Sequence, residues 1–141
     1  MSVSAVLAYR WDGKRSQLFF QTKEDSYNAP SLMGFLDGLK REYRGKKCIL
    51  IWDGLPAHRS NEMTAYIMKN RKWLTIEALP GYSPDLNPVE TLWGNIKGQE
   101  LANRCAKNLG EMEGALRHGM RRVRRRTSLP FSFLHHAGLF F

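Results

Sequence analysis

Two acidic residues, Asp53 and Glu90, stand 37 positions apart, each in a tightly constrained setting. Asp53 follows Cys48 to Trp52, an unbroken apolar run that suits a strand covered on both faces, as in a parallel sheet. In open α/β sheets the crevice beyond the carboxyl ends of the strands takes ligands, so a carboxylate there sits on a rigid element at the mouth of a cleft. Asp53 also opens an Asp-Gly-Leu-Pro turn, and a plain turn cap is an equal alternative. Glu90 ends the run Asn87-Pro88-Val89-Glu90. Asparagine is a good N-cap and proline suits the first helical position, which puts Glu90 at the third. A glutamate there also fits the reciprocal half of a capping box, a purely structural role. Gly94 and Lys97 recur along the same face, and bare backbone followed by a cation suits a groove for a polyanion. Asp85, in Ser83-Pro84-Asp85, reads as a turn residue.

Paired carboxylates on rigid elements bind hard divalent cations, and Mg²⁺ is usually held by a few carboxylates plus waters and substrate phosphate. Two such ions activate a nucleophile and stabilise the leaving oxygen of an in-line attack on phosphorus. The charge points to the same substrate class. Lysine and arginine number 22 against 13 acidic residues, a net charge of +9, so an acidic partner is expected and nucleic acid is the commonest. No apolar run approaches the roughly 20 residues that span a bilayer, and the start lacks the basic region of a signal peptide. A cytoplasmic, nucleoid-associated protein without membrane contact is expected. Cys48 and Cys105 are too few and too far apart for a metal knuckle, so they read as reduced thiols.

The elements that must position these acids are legible in outline. Apolar runs at 3–10 and 16–22 flank Asp12-Gly13, a hairpin signal. Leu32, Phe35, Leu36, Leu39 and Tyr43 fall at helical spacing, with Asn28 or Ser31 as cap. Strand 47–52, a helix through Met63, Tyr66, Ile67 and Asn70, and strand 74–79 make a βαβ unit. A helix from 88 to 103 buries Val89, Leu92, Trp93 and Ile96. Another, from 109 to 126, buries Leu109, Met112, Leu116, Met120 and Val123, and the apolar C-terminus folds back as a packed segment. The chain reads as one α/β domain.

The stretches ILIWDGLPAH and LPGYSPDLNPVETLWGNIKG closely resemble the C-terminal part of the catalytic domain of DDE superfamily transposases, of the mariner-like and bacterial insertion-sequence type. That resemblance extends over nearly the whole chain. It implies an RNase H-like fold, a mixed sheet with flanking helices, and integrase-like cleavage and joining of DNA ends in transposition. Mg²⁺ is the implied cofactor, with Mn²⁺ as a substitute. Asp53 matches the second catalytic and metal-binding acid and Glu90 the third, and DNA (transposon ends and target) is the implied partner.

The family's first acid lies on a first, central strand, behind a helix-turn-helix DNA-binding region, whereas this sequence begins at the second strand. Asp12, in a hairpin turn, does not fit as its replacement. The expectation is therefore residues 1–141 as a single, N-terminally truncated catalytic domain, lacking the first strand and incomplete alone. An upstream polypeptide carrying the first catalytic aspartate would complete a split enzyme, and a homodimer is also admitted. A catalytically inactive DNA-binding remnant is the alternative. Arg121, Arg122, Arg124, Arg125 and Arg126 form a cationic run suited to phosphate contacts, with Lys97. Helix-dipole complementarity explains one or two of these arginines, not five. Arg104, Lys107 and Arg117 extend the patch. His58 is an accessory candidate near the metal or DNA, with a plain turn histidine as its alternative, and Asn87 is accessory as the cap. Tyr82 and Trp93 read as packing residues, and His135 and His136 carry no assignment.

Overall fold

The computed structural model describes residues 2–54, 56–81, 83–102 and 107–139. The chain forms two compact units, residues 3–22 with 84–141 and residues 23–83. The expected strands and helices are present. They are β1 (Ser2–Tyr9), β2 (Ser16–Lys23), α1 (Ala29–Glu42), β3 (Cys48–Trp52), α2 (Asn61–Lys69), β4 (Leu74–Ala78), α3 (Pro88–Ile96), α4 (Leu109–Arg125) and α5 (Leu129–His136). Four of the helices start on side-chain caps: Asn28, Ser60, Asn87 and Asn108 each accept a backbone N–H of the first turn. At α1 both sequence candidates are used, because Asn28 accepts from the Ser31 N–H while the Ser31 hydroxyl accepts from the Asn28 N–H.

In the unit of residues 23–83, β3 and β4 pair in parallel, with Cys48 opposite Leu74 and Trp52 opposite Ala78. A parallel pair needs a crossover, which α2 provides. The large buried side chains of this unit, Leu32, Phe35, Leu36, Leu39, Met63 and Leu74, come from α1, α2 and β4. One expectation fails here. β3 is not covered on both faces, since Ile49 and Ile51 are 72% and 58% exposed. Strand side chains alternate, so these two share a face with Thr75 and Glu77 opposite them, and all four are exposed. An apolar run sets no requirement for a second covering layer; the helices of this unit cover one face only.

The other unit is built on a hairpin. Its connection is far shorter than a parallel crossover, so β1 and β2 run antiparallel. Gly13 takes a φ of 72°, which costs a glycine little, and donates its N–H to Arg10 O at 2.9 Å. Asp12 accepts from the Lys14 N–H and pairs with Arg10, a turn role. β1 directs Val3, Ala5 and Leu7 at alternate positions onto a core of Leu18, Leu92, Ile96, Leu116, Met120, Val123 and Phe133. The C-terminal segment does fold back: Phe133 and Leu134 of α5 are buried and the Tyr9 hydroxyl donates to Pro130 O. Burial also pushes the Tyr9 phenol above its usual range.

The buried stripe of α4 differs from expectation. Leu109 and Met112 are exposed, and burial starts at Ala115 and continues through Leu116, Gly119, Met120 and Val123. Periodicity names the face of a helix, not the turn at which its neighbours begin. The helix expected over 88–103 is α-helical only to Ile96, and Lys97–Leu101 winds as a π turn. Such turns are local insertions that shift the inward-facing side chains. Here Glu100 lies inward, 6% exposed, beneath Gly119 of α4. A Cβ on Gly119 would sit 2.9 Å from Glu100 Cδ and 3.1 Å from Ile96 Cγ2. Gly119→Ala is therefore expected to destabilise the protein by about 1–3 kcal/mol through overpacking, read by denaturant unfolding. A Gly94→Ala control, at a position with open space around its Cα, should be neutral or stabilising.

Candidate functional site

Asp53 leaves the carboxyl end of β3, where a Leu79 N–H donated to Trp52 O (2.8 Å) extends the ladder past the last paired residues. Its side chain is 50% exposed, and His58 stands beside it from the short 3-10 turn Pro56–Arg59. His58 Nδ1 lies 2.7 Å from the Asp53 carbonyl oxygen and 3.2 Å from Asp53 Oδ1. Both neighbours are acceptors, so Nδ1 carries the proton and donates. The imidazole stacks on Trp52, ring centroids 4.0 Å apart and nearly parallel. The histidine that sequence left between a chemical and a plain turn role is thus clamped onto Asp53.

Glu90 occupies the first turn of α3. The Asn87 side chain accepts from the Val89 N–H at 3.1 Å, and the Glu90 N–H goes to Asn87 O. The reciprocal capping bond is not made. Among the described residues the Glu90 carboxylate has no hydrogen bond or ion pair, and the residue is exposed. Gly94 and Lys97, on the same face, are exposed too, while Leu92 and Ile96 are buried and Val89 and Trp93 pack against the core. Trp93 is accordingly a packing residue. Among the described residues no three His, Cys, Asp or Glu side chains gather into a metal-binding group.

The arginine run divides in two. Arg121, Arg122 and Arg125 recur on one face of α4, and with His118 and Arg126 they line a concavity of about 300 Å³. Arg122 is also bound inward: its guanidinium pairs with both oxygens of Glu100 and donates to Asn95 Oδ1. Arg124 donates to Leu18 O and lies 4.6 Å over the Phe20 ring, a cation–π contact. Arg117 pairs with Glu113 and donates to the Thr22 hydroxyl. Sequence treated these cations alike, but Arg117, Arg122 and Arg124 have partners within the fold. Lys97, Arg121, Arg125 and Arg126 are exposed, as is Lys107, whereas Arg104, Cys105 and Tyr82 fall outside the described residues. Glu100 went unnoticed in the sequence, although it falls four residues after Ile96, where the apolar stripe of α3 would continue.

The sequence pattern of the DDE superfamily endonucleases matches residues 2–113. The chain belongs to that family. A Shigella sonnei protein described as an insertion element IS630 uncharacterized 39 kDa protein is 31% identical over 100 residues, 70% of this chain and 29% of that protein. The chain thus spans under a third of that relative's length. Among solved structures, the catalytic domain of Mos1 mariner transposase superposes with a TM-score of 0.51 at 15% identity, covering 99% of this chain and 83% of that one. A second structure of that domain, with raltegravir and Mn, gives 0.52 at 15% identity over 99% and 84%. These likenesses are of fold, and the DDE family member has the RNase H-like α/β fold. No helix among the described residues is long and apolar enough to cross a membrane.

The two classes of arginine separate in a stability measurement. Arg122→Gln leaves the buried Glu100 carboxylate without its cation and should cost about 3 kcal/mol in denaturant unfolding. Arg121→Gln, one residue away and exposed, should change stability by no more than about 0.5 kcal/mol.

Proposed function

We propose that the chain is the catalytic part of a transposase, in which Asp53 and Glu90 are metal-binding catalytic acids for cleavage and strand transfer of DNA. The observation that carries this reading is the Asp53–His58 clamp at the carboxyl end of a parallel strand, inside the segment that matches the DDE endonucleases. A turn cap has no need of a histidine fixed by ring stacking and set against both the backbone carbonyl and a carboxylate oxygen of its neighbour. The unused Glu90 carboxylate, at a helix start where a capping box was available, supports the same assignment.

Both side chains offer hard oxygen donors with solvent access, which fits Mg²⁺ or Mn²⁺. The Mos1 catalytic domain has been solved with each of these metals, and Mos1 also in a strand transfer complex and a paired-end complex with a transposon end. A bound divalent ion would supply Lewis-acid activation of the attacking oxygen and charge stabilisation at phosphorus. The protein's own part is positional. Asp53 and Glu90 would hold the ion, and His58 fixes the orientation of Asp53. Lys97, Arg121, Arg125 and Arg126 attract the DNA backbone, while Arg122 and Arg124 line the same helix but hold it in place. The resemblance implies three acids, and we assign the first to a segment upstream of residues 1–141. Homodimerisation would show in the same assay, run against protein concentration, as a rising specific activity.

Nicking of supercoiled DNA with Mg²⁺ or Mn²⁺ tests the assignment. The 141-residue chain alone should leave the substrate intact, and adding the polypeptide encoded immediately upstream should start cleavage. Asp53→Asn or Glu90→Gln should then remove about a thousandfold or more of the rate, since residues acting as a unit are far from additive. Efficient cleavage by the chain alone would show that the first acid, too, lies within residues 1–141. Cleavage surviving either substitution would refute the site.

His58 acts through Asp53 and is a positioning residue. His58→Ala is expected to weaken Mn²⁺ binding about 10–100-fold in a calorimetric titration, with little change in DNA affinity.

A further inference from the structure

A second basic concavity lies in the unit of residues 23–83. It measures about 330 Å³ and is lined by Lys40, Arg41, Arg44, Lys46, Lys47 and Lys72, with no acidic residue in its wall among the described residues. The surrounding backbone explains why these residues converge. α1 ends at the Tyr43 cap, and Gly45 takes a φ of 77° to turn the chain. The Lys46 N–H then bonds back to Tyr43 O, and the chain enters β3 at Cys48. Because β4 runs parallel to β3, the residues preceding it, Lys72 and Trp73, arrive at the same end of the pair. Tyr43 and Trp73 supply the aromatic part of the wall. The Trp73 indole is held by donating to Asn70 Oδ1 at 2.8 Å.

Cations at a helix C-terminus favour the helix dipole, and Lys40 and Arg41 have that explanation. Arg44, Lys46, Lys47 and Lys72 do not. Six cations crowded around one hollow repel one another, and a polyanion relieves that repulsion. The concavity and Asp53 belong to the same unit, so their relation follows from the strand. Five residues at about 3.3 Å each put Asp53 some 17 Å from the amino end of β3. That is roughly five base pairs of duplex, too far for one phosphate to touch both.

We propose that this hollow is a second DNA-backbone site, at the end of β3 and β4 opposite Asp53. It holds duplex DNA by phosphate contacts without reading sequence. The choice of DNA over other polyanions rests on the transposase reading. Arginine and lysine side chains around a hollow edged by two aromatic rings suit the sugar-phosphate backbone.

The test is fluorescence anisotropy of the full chain with a short labelled duplex between about 50 and 200 mM salt. Lys40→Gln/Arg44→Gln/Lys72→Gln should make the plot of log affinity against log salt shallower by about one to three, near 0.9 for each phosphate no longer neutralised. The charge-conserving Lys40→Arg/Arg44→Lys/Lys72→Arg should keep the parent slope. Arg121→Gln/Arg125→Gln/Arg126→Gln on α4 serves as the independent reference. An unchanged slope in the first variant, with a shallower one in the α4 variant, overturns the second site and leaves the transposase reading standing. No change in either variant overturns DNA binding by both surfaces. A fall in the charge-conserving variant equal to that in the glutamine variant would show that shape, not charge, is responsible, and would also overturn the proposal.

Discussion

A nearly buried carboxylate organises the unit that carries Glu90. Glu100 is placed inward by a π turn, and an ion is tolerated there only because Arg122 and Asn95 meet it. Its cost to the fold is geometric. Position 119 must be glycine-sized, α3 must end its regular winding at Ile96, and one arginine of the basic helix must turn inward. α3 and α4 are therefore locked together in one register. An apolar pair could hold two helices as tightly, but it would permit sliding. The ion pair does not, and the first turn of α3, which presents Glu90, inherits that definition.

Much of this was legible in the residues. Asn87 and Pro88 announce a helix start, and Asp12-Gly13 announces a hairpin, because each rests on local backbone preference. The βαβ order of β3, α2 and β4 follows from chain order and connection length, so its parallel pairing was also accessible. Long-range complementarity was not. Nothing near Arg122 in sequence distinguishes it from Arg121, and its partner lies 22 residues back. Ile49 and Ile51 read as core because the run is apolar, yet exposure depends on which layers the rest of the fold supplies. The basic hollow went unread, because Lys72 joins the cations of residues 40–47 only through the parallel pairing.

The β3–β4 pair carries opposite charge chemistry at its two ends. An acid clamped by a histidine follows the carboxyl end of β3, and lysines precede the amino ends. On the proposed reading this would separate two tasks, holding a cation and retaining DNA, that oppose each other electrostatically. Carboxylates that hold a cation repel DNA, so under that proposal the attraction for the substrate would be supplied elsewhere. A rigid strand pair keeps the two apart at fixed distance.

The central claim is that Asp53 and Glu90 bind one metal cluster. Anomalous scattering from crystals of the chain grown with Mn²⁺ measures this directly. The account predicts a manganese peak within coordination distance of both the Asp53 and the Glu90 carboxylates. Peaks confined to other side chains, or the two carboxylates on opposite surfaces, would contradict it.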